Sequence, residues 1–539
     1  MSSNSLGAGA VSDRAVLCLL WLLATGLNLN KAFHIDDTFH LEAAQWIAQH
    51  PLQPMSGYIN WGGASEQMSQ FNQPPLYFYA VACVGELFGY SEVPLHLFQS
   101  IFTFLCIFFF YRIAVVLHEK QALLLTCFFV LNPAFLVNQN LMVDIPLLSL
   151  QLLCMYMLLT SEQRPHWVSY SLAGVFLSIA LLIKYTTLPL LVLLLVVPLL
   201  RRQYAMLLPV LIPIGVLVGW SVINVAEFGA VHILNRPANT LSFYLILRMA
   251  ALFTICLGAL VPYFVVLVPF LTNTPKLNPN FLTVVAIAGF FLLALATYFG
   301  LLPVKLANWL LLLVAVANGI IGIIIVCKET FRCYLQNFKL ASDTTIMLLW
   351  LLGMAGFLIL FAPFMATRHV LLCLPPILLL SGKALYYLPD LTKKLALLCA
   401  FTVSMLLGIS DWVFADAFRK QAFAIKESLP RQVRVFTVGN WGWQWYSRKA
   451  GMIPYNEKES EPKVGDYMVI PQHIAQQDVA EQIRLVKQRT ITVNSHALTF
   501  FSNAPHASLY TSYEQKNPWT FSKETVASFD VYRVAAVAE

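Results

Sequence analysis

Asp36 and Asp37 stand side by side in HIDDTFHLEAAQW, residues 34–46, directly beyond the first membrane-length apolar run. Carboxylates at such a place can take a proton from a hydroxyl, hold a cation or cap a helix. A helix beginning near Thr38 would let one acid cap while the other does chemistry, and capping weighs more on Asp37 than on Asp36. Within that helix Phe39, Ala43, Trp46 and Ile47 share one side, with His40, Glu42 and Gln45 on the other. This is the pattern of a segment lying along a membrane interface.

Three more ionisable residues interrupt apolar sequence. Asp144, in NPAFLVNQNLMVDIPLLSL, lies two residues before Pro146 and reads either as a helix cap or as a functional acid. Lys184, in LLIKYTTLPLL, and Arg368, in APFMATRHVLLCLPPILLL, either snorkel to headgroups or meet an anion. Two cations beside two carboxylates suggest a phosphate held next to a general base. His34, His40 and Glu42 are the residues that would join the acid pair around a divalent metal. Their spacing matches no metal motif, so no metal ligand is assigned. Gly-rich phosphate loops, a GxSxG elbow and a Ser, His and Asp set are absent from the sequence.

The elements that must position these residues follow from composition. The 539 residues are 58% hydrophobic and only 11% charged, against about 45 to 50% apolar in soluble domains. The chain is therefore expected to be a polytopic α-helical membrane protein. Apolar runs fall at 15–29, 97–117, 121–140, 145–161, 168–183, 187–200, 205–223, 245–271, 281–300, 306–327, 343–363, 367–382 and 395–412, which predicts about thirteen crossings. No small-residue cleavage site follows the first run, so it reads as a retained helix. The Pro-led run from Pro74 to Gly89 is assigned to the interface. With the N-terminus inside, this count puts Arg112, Lys120, Arg164, Arg201, Arg202, Lys276, Lys328, Arg332, Lys339, Lys383, Lys393 and Lys394 in inner loops. Asp36, Asp37, Asp144, Lys184 and Arg368 then share the outer face. The net charge of +7 reflects those loops better than a nucleic-acid surface. The ten cysteines are scattered without CxxC spacing and read as small apolar residues.

These features divide the chain into a membrane domain, 1–412, with a first outer loop at about 33–95, and a soluble outer domain, 413–539. In the latter, VRVFTVG, DYMVI, RTITV, LTFF and FDVYRV read as strands and IAQQDVAEQIRLVKQ as a helix. An α/β or α+β domain follows. Trp441, Trp443 and Trp445 fit packing better than sugar stacking.

The order of the acid pair, NQPPLYFY (72–79), VDIPL around Asp144, IKYTTLPLL around Lys184 and TRHVLLCLPP around Arg368 resembles the GT-C membrane glycosyltransferases. The likeness is to the bacterial branch related to protein O-mannosyltransferases and the lipid A aminoarabinose transferase, over residues 15 to about 410. It implies transfer of a sugar from a polyprenyl-phosphate carrier to a lipid, glycan or protein acceptor hydroxyl at the outer face of a bacterial inner membrane, with inversion. It implies Asp36 as general base, with Asp37 and Asp144 beside it, and Lys184 and Arg368, with the adjacent Tyr185, on the donor phosphate. His40, Glu42, Gln73 and Tyr77 would be acceptor or loop contacts. Two positions depart from the pattern: Asp37 replaces the usual Glu, and Gln73 stands where a basic residue or His often precedes Pro-Pro-Leu. The competing reading is a transporter or flippase of lipid-linked sugar, since charges at membrane depth also mark transport paths. Against it, no inverted repeat is visible and the charges gather at one face instead of the midplane. A membrane scaffold displaying the tail would leave the clustered acids unexplained.

Overall fold

A computed structural model describes residues 6–33, 35–235, 242–272, 278–336, 339, 342–457, 460–494, 517–518 and 520–537. His34, Lys276 and the LTFF run lie outside them. Among the described residues, eight helices are long and apolar enough to cross a membrane. They correspond to eight of the thirteen expected crossings, from Glu92–His118 to Asp390–Glu427.

The other five runs are helical too, but four of them are short or broken. The 121–140 run splits into Ala122–Val130 and Pro133–Val137. Pro133 has no N–H to continue the ladder, and the Asn132 side chain accepts from Ala134 N instead. Asp144–Leu159 and His166–Leu181 have 16 residues each, about 24 Å of helix, and Leu188–Leu200 has 13. Leu6–Asn28, with 23, carries the first run. Every residue of Asp144–Leu159 is buried. A helix apolar all round sits inside a bundle, and this one is packed against Glu92–His118 and His166–Leu181. The acid at its first position is thereby held at a set depth.

The first loop forms a helix, Asp36–Gln49, a small antiparallel hairpin of Tyr58–Asn60 with Ser65–Gln67, and the helix Leu76–Phe88. The expected interfacial lie of the first of these is corrected by its burial, which takes in His40 as well as Phe39, Ala43 and Ile47. The helix is sandwiched: Leu76–Phe88 packs on it and so does Trp441–Lys449 from the tail.

The last apolar helix runs unbroken through residue 412 to Glu427. A five-stranded sheet follows, in the order Ile453–Pro454, Val435–Thr437, Tyr467–Pro471, Ala527–Val537, Ile483–Val493. Its first two pairings are parallel and the others antiparallel. The helix expected over IAQQDVAEQIRLVKQ does not form. From Ile483 that segment is strand, because ten of the eleven residues of Ile483–Val493 find a partner in Ala527–Val537, and cross-strand pairing outweighs local helix preference. Asn308 in the long helix Val304–Gln336 binds both the N–H and the carbonyl of Phe521, which fastens the tail to the bundle.

Candidate active site

Four charged residues from four separated segments meet in one alternating chain. Arg368 Nη2 lies 3.0 Å from Asp36 Oδ2, and Arg368 Nε lies 3.7 Å from Asp144 Oδ2. Lys184 Nζ donates to the other Asp144 oxygen at 3.2 Å. All four are largely withdrawn from solvent, Asp144 most completely, with 2% of its side chain exposed. Charges this buried persist only when paired, because desolvation of a lone ion costs several kcal/mol.

Each member sits where regular helix starts or stops. Asp36 opens Asp36–Gln49 and Asp144 opens Asp144–Leu159. Carboxylates there face the positive end of the helix dipole. Lys184 precedes the single turn Tyr185–Thr187, and Arg368 lies in the four-residue helix Thr367–Val370. The turn before Asp36 is strained: Ile35 has φ 48°, a region that a β-branched side chain rarely enters. Such strain is retained where the surroundings over-determine it, commonly at functional sites.

The structure decides several alternatives left open by sequence. The helix after the acid pair starts at Asp36 rather than near Thr38, and its N-cap is Ile35, whose side chain makes no capping bond. Neither acid is therefore the expected cap. Asp144 is likewise the first helical residue, preceded by Val143 with no side-chain cap. Lys184 and Arg368 meet carboxylates and do not snorkel. Asp37 is fully buried. Arg368 also stacks over Phe364, 5.6 Å from the ring centre.

The remaining sequence candidates surround this chain at differing removes. His40 Nδ1 bonds the Asp36 carbonyl at 2.7 Å and its Nε2 meets Gln73 Oε1 at 3.0 Å. It buttresses the strained turn, and burial holds its pKa below the ordinary value. Glu42 pairs with Arg448 of the tail at 3.0 Å. Burial raises its pKa while that arginine opposes the rise. Tyr77 donates to Gln99 at 2.8 Å, joining the first loop to Glu92–His118. Tyr185, expected beside the donor phosphate, engages its hydroxyl outside the charged chain. Its hydroxyl accepts from Trp220 Nε1 at 3.0 Å and bonds His232 Nδ1 at 2.9 Å, in a separate cluster with Met55. His232 in turn bonds the Phe71 carbonyl, so the group braces the first loop.

Sequence reasoning missed the supports. Lys31 is buried and pairs with Asp411 and Asn140. Tyr446 donates to Glu92 at 2.6 Å and accepts from Phe33 N at 2.8 Å. Arg419 bridges Asp416 and Glu92. The usable signal was charge inside apolar sequence, which Lys31 and Asp411 both carried.

The fold and this cluster define a polytopic helical membrane protein with a charged site at the ends of its helices. Residues 72–224 match the family described as dolichyl-phosphate-mannose-protein mannosyltransferase. That segment contains NQPPLYFY, Asp144 and Lys184, whereas Asp36 and Arg368 lie outside it, and the match bears out the GT-C resemblance. Similar solved structures include ArnT from Cupriavidus metallidurans bound to undecaprenyl phosphate, at 15% identity over 86% of this chain and 93% of that one, with TM-score 0.42. The oligosaccharyltransferase of Archaeoglobus fulgidus in its apo form aligns at 12% identity over 82% and 64%, TM-score 0.48. The protein O-mannosyltransferase Pmt1-Pmt2 complex of S. cerevisiae bound to the sugar donor aligns at 15% over 40% and 34%, TM-score 0.31. No curated protein sequence matches the chain.

Proposed function

We propose that this protein is a glycosyltransferase that moves a sugar from a polyprenyl-phosphate carrier to an acceptor hydroxyl, inverting the anomeric centre, at the outer face of a bacterial inner membrane. In this reading residues 413–539 form an extracytoplasmic domain on a catalytic membrane domain. The observation that carries it is the chain Asp36, Arg368, Asp144, Lys184. The family match over Asp144 and Lys184 supports a polyprenyl-phosphate donor.

The chain is a site whose partners can be exchanged. Arg368 touches both carboxylates. A donor phosphate entering beside Lys184 and Arg368 competes for the guanidinium, and Arg–phosphate contacts are strong enough to draw it from Asp36. Asp144 stays on Lys184 and keeps the cations in place. Asp36, released, accepts the proton of an acceptor hydroxyl as the oxygen attacks the anomeric carbon. The fixed cations stabilise the charge gathering on the departing phosphate.

The test is purified protein given a panel of labelled polyprenyl-phosphate sugars with lipid, glycan and peptide acceptors. Loss of sugar from one carrier, dependent on Asp36, supports the assignment. Movement of intact lipid-linked sugar across liposomes, with no cleavage from its carrier, would replace it with transport.

A further inference from the structure

The helix run from Thr367 to Tyr386, 20 residues, carries Arg368 near one end and Lys383 near the other, about 23 Å away along the axis and most of a hydrocarbon thickness. At that far end a cavity of about 810 Å³ opens among the ends of Glu92–His118, Val304–Gln336 and Leu374–Tyr386. Three cations line it, Lys120, Arg332 and Lys383. A second cavity, about 330 Å³, shares His118 and Lys383 with the first but is walled by Glu329, Thr330 and Asp343. The close packing at this junction depends on Gly382, where a Cβ would come within 3.1 Å of the His118 ring.

The two spaces have opposite needs. In the second, Glu329 is 5% exposed and Thr330 6%, yet among the described residues neither Glu329 Oε2 nor Thr330 Oγ1 has a hydrogen-bond partner. Arg332 reaches only the other carboxylate oxygen, at 3.6 Å. A buried carboxylate oxygen without a donor is costly. A phosphate alone would answer the cations and leave that oxygen unmet. The geometry points to a zwitterionic occupant: a phosphate in the basic cavity with a primary ammonium a few bonds away at Glu329, the headgroup of a phosphoethanolamine lipid.

Competing headgroups fit less well. A trimethylammonium has no N–H to donate, and a glycerol headgroup donates without charge. Phe331 and Leu335, beside Arg332, are 64% and 72% exposed, and Tyr386 and Tyr387 line the basic cavity. These apolar and amphipathic groups suit acyl chains and favour a lipid over a soluble phosphate ester.

The experiment uses full-length delipidated protein in neutral detergent, with binding of dioleoyl phosphatidylethanolamine, phosphatidylcholine and phosphatidylglycerol followed by native mass spectrometry and thermal shift. Phosphatidylethanolamine should bind about tenfold more tightly than either other lipid, the scale of one charge-assisted bond. Glu329→Gln, near-isosteric, should erase that preference. Lys383→Ala should weaken phosphatidylethanolamine and phosphatidylglycerol together. Preference is a ratio within each variant, so a general loss of stability leaves it unmoved. Equal binding of phosphatidylcholine by wild type, an unchanged preference in Glu329→Gln, or an equal shift from free phosphoethanolamine would each overturn the proposal.

Discussion

Arg368 and Asp36 lie 3.0 Å apart, joining the entrance of the first loop to a short helix near the far end of the bundle sequence. The same guanidinium reaches Asp144 at 3.7 Å, so removing it leaves two buried carboxylates with one fewer cation. Arg368→Ala should therefore weaken donor binding by about 2 to 5 kcal/mol. Arg368→Lys should restore little, since a point charge cannot span both acids as the planar fork does. Donor affinity measured by calorimetry with a polyprenyl phosphate checks this, and unchanged affinity in both variants would remove the phosphate role.

Asp36→Asn keeps size and most hydrogen bonding but cannot accept a proton. Turnover should fall by about 10² to 10⁴ while donor binding survives. Asp37→Asn should do less. The comparison is a single-turnover assay with bound donor, and wild-type turnover by Asp36→Asn would eliminate the base assignment.

Tyr446→Phe tests how the tail supports the site. The Tyr446 hydroxyl accepts from Phe33 N and donates to Glu92, so its loss strands a buried backbone N–H two residues before the strained Ile35. Stability should fall by about 1 to 3 kcal/mol. The melting temperature and limited proteolysis of the first loop read the effect, and no change in either would deny the coupling.

His40 should make the protein sensitive to mild acid. Burial depresses its folded pKa below 6.5, so the neutral ring's contribution is fully present above the unfolded value. It is lost as pH falls from there through the folded pKa. His40→Gln should flatten the drop in melting temperature over that window, with little change at pH 7.5. A wild-type slope in the variant would assign the acid sensitivity elsewhere.

Sidedness is tested by single cysteines in a cysteine-free background. Leu52→Cys, at a first-loop position 90% exposed, should react with an impermeant thiol reagent in intact spheroplasts, whereas Gln336→Cys should react only after lysis. The reverse labelling would place the charged site inside.

The amino-acid sequence by itself determined the class of molecule, because 58% hydrophobic residues in long runs have no stable arrangement in water and must lie in lipid. It also marked Asp36, Asp144, Lys184 and Arg368, since a charge inside apolar sequence announces a partner wherever it falls. Which partners they take was a matter of tertiary structure. Capping is a local option, open to any acid before a helix, but here the helices start at the acids themselves, after Ile35 and Val143, and Arg368 and Lys184 from distant segments become the partners of Asp36 and Asp144. The same physics moved Tyr185 away from the charged chain, since the direction of a side chain on a one-turn helix depends on Trp220 and His232, which its neighbours in sequence do not specify. Ile483–Val493 became strand for a related reason. Periodicity reads what a segment can do alone, and long-range pairing supplies the hydrogen bonds and burial that select one of those options.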